Sequence, residues 1–424
     1  MFIKKFLFLL TAVIFCFPLA TRAAVNIAGP IAAGELSDVR TITTINNELF
    51  FIDNVQQGSN SEKHLYRLNG KKMNNLELLY AVQASLNKDD YVFSFNDDLY
   101  LTATGKKGNR IRIYRSQDQG VTWKLLDKIG FFDETIANNI RDVFATDARL
   151  YLVIEGTSGV ATSSTKLSLW SLEKGSSGWQ KQTIAENNPR YVGYNLMDND
   201  PYLYINTWQT IPGDTKSYSA ALYTPQDYAG NKFRKISLDN FDGDLPVREV
   251  QEAENFQDIM FLRGYITAQR RDGKSINRRS NLRSLRSANG VLWKNAGGKF
   301  TKYVLFKDAL YAVYQTKNHQ PQISKTVDGQ ALTLTTLGFE DLYAIDNGSL
   351  NLHSSADQSL LLADFSEKNV DKYLASEDGA NWIELTGKIP DKAQPAQITK
   401  AGKYYFFVRG QSDSSFKLYK LSTK

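Results

Sequence analysis

Cysteine is all but missing from this 424-residue chain, where Cys16 stands alone. It lies in an apolar run near the N-terminus, so a chain cut after Ala23 would keep none. That excludes disulfides, thiolate catalysis and cysteine-ligated metals in the mature protein. Histidine is nearly as scarce. His64, His319 and His353 are far apart and show no metal-ligand spacing, so packing or surface roles are expected and no metal site is assigned. There is no Gly-rich phosphate loop, no Ser-His-Asp arrangement and no nucleophile elbow, and no cofactor is expected. A strong charge of one sign is absent too. Setting aside Lys4, Lys5 and Arg22 leaves 48 basic residues against 45 acidic ones, a net of +3. So mild a balance excludes a nucleic-acid binder on bulk charge, and any polyanion argument must rest on a local cluster.

Only one apolar run is long. Lys4 and Lys5 precede it, Phe6 to Leu19 form it, and Thr21-Arg22-Ala23 follows as a small-residue cleavage site. This is the pattern of a secretory signal peptide over residues 1–23. The run falls short of the roughly twenty residues of a spanning helix, so no membrane span is expected. Phe15 before Cys16 is unlike a lipoprotein acceptor site. The expectation is an exported protein, periplasmic or secreted, with residues 24–424 as a single domain.

What the chain does have is a turn motif, Ser116-Gln117-Asp118-Gln119-Gly120-Val121-Thr122-Trp123. Ser116 and Asp118 can fold side-chain oxygens onto nearby backbone N–H groups. Gly120 supplies a positive φ, and Trp123 lays a large ring back over the turn. The octet matches the Asp-box pattern Ser-x-Asp-x-Gly-x-Thr-Trp, and the chain resembles the sialidase-like Asp-box (BNR repeat) β-propeller superfamily. A second good copy is Ser376-Glu377-Asp378-Gly379-Ala380-Asn381-Trp382, one residue shorter. Ser287-Ala288-Asn289-Gly290-Val291-Leu292-Trp293 keeps the turn with Asn for Asp, and Thr326-Val327-Asp328-Gly329 and Ser171-Leu172-Glu173-Lys174-Gly175 are degraded copies.

A polar turn followed by an apolar anchor recurs at Leu49, Leu99, Leu150, Leu203, Ile259, Leu310, Leu350 and Tyr404, in steps of 40 to 56 residues. A later landmark recurs with it, from Leu65-Tyr66-Arg67 to Leu418-Tyr419-Lys420. Short alternating strands at a period near fifty are a propeller signature. The fold expected is all-β, a β-propeller of eight four-stranded blades with strands a to d, with seven as the runner-up because of the 40-residue step. The last unit has no room for its strand d, which the segment Val25-Asn26-Ile27-Ala28 would supply to close the ring.

In such a blade the a–b and c–d turns share one face, so the Asp boxes are structural and a ligand site belongs on the opposite face. Two features there stand out. Trp208 is placed in a b–c loop, Asn206 to Ser217, where it could stack on a sugar ring or cap its own loop. The stretch 263–286 carries Arg263, Arg270, Arg271, Arg278 and Arg279, a set suited to carboxylate, sulfate or phosphate groups. Asp239, Asp242, Asp244, Glu249, Glu252 and Glu254, read as the loop leading into the same blade, could instead pair with it. Asp239 to Asp244 also suggests calcium but lacks the ligand spacing of an EF-hand loop.

The resemblance further implies an enzyme reading. Sialidases of this superfamily bind a carboxylate with three arginines and use a Tyr/Glu pair and an Asp for chemistry. Here the first arginine would be Arg40, without the Ile-Pro that follows it in the family motif, and Asp53 is the candidate acid. The other two arginines and the Tyr/Glu pair have no match. The expectation is a non-catalytic, monomeric propeller that binds a glycan, acidic in character, or a protein partner outside the cytoplasm; the alternative is a sialidase-like exo-glycosidase.

Overall fold

The computed structural model describes residues 25–28, 39–46, 48–57, 60–68, 76–83, 91–104, 111–129, 137–157, 165–176, 178–186, 188–197, 200–211, 214–226, 233–238, 247–266, 268–269, 275–276, 282–297, 302–316, 319–340, 342–355, 357–385, 394–401, 403–409 and 416–423. Residues 1–24, which include the expected signal peptide 1–23, lie outside them, as do Arg270, Arg271, Arg278, Arg279 and the 239–244 acidic run. Of Arg40 and Trp208 the backbone alone is described.

The described chain is all-β, built from four-stranded antiparallel sheets that fit a β-propeller. Seven of these sheets use strands in sequence order. Their strands a to d are Val39–Ile45, Glu48–Gln57, Asn60–Leu68 and Leu76–Gln83 in sheet 1. Sheet 2 has Val92–Phe95, Asp98–Thr104, Ile111–Ser116 and Lys124–Ile129. Sheet 3 has Ala137–Ala145, Arg149–Thr157, Thr165–Glu173 and Trp179–Ala185. Sheet 4 has Pro189–Met197, Asp200–Ile211, Asp214–Pro225 and Phe233–Ser237. Sheet 5 has Val247–Phe256, Ile259–Ile266, Leu282–Ser287 and Lys294–Asn295. Sheet 6 has Lys302–Phe306, Ala309–Thr316, His319–Thr326 and Thr333–Thr335. Sheet 7 has Asn351–Ser354, Leu361–Glu367, Val370–Ser376 and Ile383–Glu384. Sheet 8 combines Gln394–Ala401, Lys403–Arg409 and Phe416–Thr423 with the N-terminal Val25–Ala28, which pairs antiparallel with Phe416–Thr423.

Alternating apolar residues give each sheet two faces, and both are used. Apolar clusters lie between consecutive sheets rather than in one central core. Phe50, Ile52 and Leu65 of sheet 1 pack with Leu99 and Leu101 of sheet 2. The pattern continues through Ile113 with Leu152, Val153 with Leu203, Tyr204 with Leu262, Phe261 with Leu310, and Val313 with Leu352. Strand a of sheet 8 lies against strands a of sheets 7 and 1.

Three sequence expectations change. Trp208 is not in a loop: it lies on strand b of sheet 4 opposite Tyr218. Its neighbours Thr207, Thr210 and Ile211 favour a strand. Glu249, Glu252 and Glu254 are not in a loop either, but on strand a of sheet 5. Their acidity hid an alternation with Val250 and Ala253 that packs against sheet 4. The seventh a–b turn is not Asn347-Gly348-Ser349 but 355–360, because Asn351–Ser354 is strand a itself.

Candidate functional site

The Asp boxes fold as their residue types demand. Ser116 Oγ donates to Asp118 Oδ1 at 2.7 Å and accepts from Gly120 N at 2.8 Å. Asp118 also accepts from the Thr122 N–H at 2.8 Å and hydroxyl at 2.5 Å, and Trp123 Nε1 donates to Gly120 O at 3.0 Å. Gly120 has φ 86. The Ser287-Asn289-Gly290-Trp293 copy repeats these bonds. In the shorter copy Ser376 and Asp378 bind Gly379 N and Asn381, while Trp382 Nε1 reaches Leu337 O at 2.8 Å, on the segment after sheet 6. A further copy went unread in the sequence. Ser355 donates to Asp357 at 2.7 Å and accepts from Ser359 N and Leu360 N, in an a–b turn where the pattern has Ser in place of Gly. These turns spend their Ser, Asp and Asn side chains on bonds within the turn, and Trp382 ties its turn to the segment after sheet 6, which is a structural role.

The opposite ends of the strands carry different chemistry. Strand a is bulged in sheets 1, 3, 4, 5 and 8, with Arg40, Arg141, Val192, Gln251 and Ala396 among the extra residues. A bulge bends the strand and re-aims side chains beside it. In sheet 5 the bulge is held by Asn206 of sheet 4, fully buried, whose amide accepts from Val250 N and donates to Val250 O, both at 2.9 Å.

Next to that bulge, sheets 5, 6 and 7 enclose a cavity of about 440 Å³. Gln251 and Glu252 line it from strand a of sheet 5, Arg263 from strand b, Lys302 from sheet 6, and Asn351 and Leu352 from sheet 7. Lys302 and Asn351 open their strands, so the cavity lies toward the end away from the a–b turns. Arg263 Nε and Glu252 Oε2 are 3.2 Å apart but out of line for a hydrogen bond. Glu252 Oε1 accepts from Tyr303 N at 3.2 Å. Lys302 Nζ donates to Leu352 O at 3.0 Å. Beyond it, Asp364 takes His353 Nε2 at 2.6 Å and Asn351 Nδ2 at 3.0 Å.

Burial pushes the Glu252 carboxyl up, against the opposing pull of Arg263 and of the Tyr303 N–H. Burial pulls the Lys302 ammonium down, with Glu252 and Asp364 acting the other way. Glu254 is pushed up to about 7 by burial, with the Glu252 charge adding to it. Across the neighbouring sheets, Tyr191 OH donates to Asp142 Oδ2 at 2.9 Å, and burial raises both groups. The cavity therefore offers donors and acceptors of both charge signs.

Of the ligand residues expected from sequence, Arg263 lines this cavity; Arg270, Arg271, Arg278, Arg279 and the Trp208 side chain lie outside the described residues. Arg263 pairs with Glu252, one of the acids weighed against the arginine stretch. Asp53 is buried on strand b of sheet 1 opposite Val39 and His64, and Arg40 is the bulge residue of the facing strand. Glu252, Lys302 and Asp364 carry no motif; only their place in alternating strands could have pointed to them. Among the described residues no group of His, Cys, Asp and Glu is arranged for a metal, and no helix is long and apolar enough to cross a membrane.

No known family model matches the sequence, and no curated protein does either. The fold is similar to the β-propeller domain of the Trilobed protease from Pyrococcus furiosus, at 10% identity over 83% of this chain and 98% of that one, with a TM-score of 0.44. It is similar to Trypanosoma rangeli sialidase in complex with the inhibitor DANA, at 9% identity over 92% and 59%, with a TM-score of 0.36. An acylaminoacyl peptidase is similar at 8% identity over 88% and 57%, with a TM-score of 0.45. The chain spans less than two thirds of the length of the sialidase and the peptidase. The propeller reading rests on the sheets themselves.

Proposed function

We propose that this protein is an exported, non-catalytic β-propeller that binds an acidic glycan in the cavity between sheets 5, 6 and 7. In this reading residues 1–23 are removed on export, and 24–424 fold as one monomeric ring of eight blades. The pairing of Val25–Ala28 with the last strands, and the contact of sheet 8 with sheet 1, support closure by the N-terminal strand. Detecting Met1 on the mature protein would contradict the export step.

The observation that carries the binding reading is the cavity itself. Its volume is in the range of small-ligand sites, and it opens away from the Asp-box turns, which are consumed by their own hydrogen bonds. Arg263 and Lys302 suit an acidic group, while Asn351, Gln251 and Glu252 suit hydroxyls. Binding to a panel of acidic and neutral glycans, with wild type and Arg263→Gln, tests this. Acidic glycans should bind wild type and lose affinity with the variant; equal binding by both, or none to any acidic glycan, would overturn it. A protein partner on the same face would show instead as capture that free glycans do not compete away.

The alternative, a sialidase-like glycosidase, draws on one observation. Glu254 holds its proton to about 7, and its charge is felt by the Tyr194 phenol. Hydrolysis of a fluorogenic sialoside, abolished by Arg40→Ala, would favour it.

A further inference from the structure

The cavity holds a charge arrangement that a plain anion site would not contain. Arg263 has five N–H donors in a rigid fork. Its side chain is 20% exposed, yet its ion-pair partner among the described residues is a single carboxylate, Glu252, at 3.2 Å. Nε of Arg263 and Oε2 of Glu252 are both buried and make no hydrogen bond. Two opposite charges are thus held together in a cavity by Coulomb attraction without the aligned bonds that normally repay their desolvation. Lys302, the second cation, donates to Leu352 O and has two further N–H donors.

We infer that Glu252 is a built-in competitor for the anion site that Arg263 and Lys302 form: the acidic group of the ligand takes Arg263 over from Glu252. This rests on the glycan-binding reading and adds to it how the site is regulated. The groups facing Glu252 are Arg263 on the paired strand, Lys302 and the Tyr303 N–H on sheet 6, and Glu254 two residues along its own strand. Asp364, with His353 and Asn351, stands behind Lys302 on sheet 7. When Glu252 is charged it satisfies Arg263 and repels an incoming carboxylate. When it takes a proton, the attraction to Arg263 and the repulsion of the ligand both vanish, and the Tyr303 N–H still has its acceptor. Burial, which favours that protonated form, works in the same direction. Acidification should therefore strengthen binding, provided the ligand's own acid stays ionised.

The test uses the full mature chain and two probes, a galacturonic acid trisaccharide and inorganic sulfate, titrated at about pH 5 and about pH 8. Glu252→Gln keeps the shape and the oxygen that accepts from Tyr303, and removes the charge. It should bind the trisaccharide about tenfold more tightly than wild type at the higher pH. Wild type should bind more tightly at the lower pH, and the variant, which keeps Glu254 and the other titrating neighbours, should gain less. Because the variant retains His353, Asp364 and Lys302, this difference isolates Glu252 from their titration. If sulfate follows the same pattern, the oxyanion alone drives the exchange; if only the trisaccharide does, the sugar ring is needed, and either result supports the competitor role. Equal affinity of wild type and Glu252→Gln for the trisaccharide at pH 8 would overturn the competitor role and leave the binding reading intact. Absence of trisaccharide binding by both proteins at both pH values would overturn the two together.

Discussion

Gly329, in the Asp box of sheet 6, lies so close to Ile259 of sheet 5 that a Cβ on the glycine would sit 2.7 Å from Ile259 Cγ1. The same contact recurs around the fold. A Cβ on Gly290 of sheet 5 would meet Leu222 of sheet 4 at 2.7 Å, and one on Gly379 of sheet 7 would meet Phe306 of sheet 6 at 3.3 Å. Gly290, Gly329 and Gly379 therefore have two duties, a positive φ and room for the preceding sheet. The Asp box joins strands c and d within a sheet, but its packing joins one sheet to another.

Gly329→Ala should expose both duties at once. We expect a loss of about 2–4 kcal/mol, from strain at φ +68 together with overpacking against Ile259. Gly338→Ala is the control, since φ is +81 there but nothing lies within 4 Å of the added atom. It should lose only about 1 kcal/mol. Urea denaturation midpoints for the two variants decide the matter, and equal losses would remove the packing role.

Asn206→Ala should be more damaging than its sheet-4 position suggests. It would strip Val250 of partners for both its N–H and its C=O inside a buried seam. A loss of about 2–4 kcal/mol is expected, read from the same denaturation curves. A variant as stable as wild type would mean that the bulge of sheet 5 holds itself.

The acid limb of stability should carry the signature of the boxes. Bonds from the Thr122 side chain, the Thr122 N–H and Ser116 hold the Asp118 carboxyl down at about 2. The unfolded value is about 3.9, so the carboxylate's contribution is complete above that pH and fades as pH falls toward the folded value. Asp118→Asn should flatten this part of the profile, measured as melting temperature between about pH 4 and about pH 2. An unchanged slope would contradict the assignment.

How far the sequence speaks differs between fold and site. The boxes at Ser116 and Ser376 are legible because a turn is local: apart from the bond from Trp382 to Leu337 O, the bonds that hold them fall within a few residues. The box at Ser355 is harder to read because Ser359 stands where Gly usually does, and because the repeat places its apolar anchor at Leu350, a few residues early. Glu252 illustrates the harder case. Arg263 comes beside it by strand pairing within sheet 5, and Lys302 and Tyr303 only when sheet 6 packs against sheet 5, and no spacing in the chain encodes that meeting. Trp208 misled for the opposite reason, as a residue type suggestive of sugar stacking that strand propensity explains first.

At the other end of the pH range, Glu254 should destabilise the fold on deprotonation. Its folded value of about 7 lies above the unfolded value of about 4.3, so the folded state holds the extra proton. Stability is then fullest below about pH 4 as far as this group is concerned, and declines as pH rises toward and through about 7. Stability should fall over that window by an amount on the order of 4 kcal/mol, seen as a declining melting temperature. Glu254→Gln should remove most of the fall; a parallel decline in the variant would place the cause elsewhere.

The account turns on the cavity of sheets 5, 6 and 7, and a crystal structure of the protein with a galacturonic acid trisaccharide tests it most directly. The expected result is the sugar acid within hydrogen-bonding distance of Arg263 and Lys302, with Glu252 moved off Arg263. The sugar bound elsewhere, with the Glu252–Arg263 pair undisturbed, would contradict it.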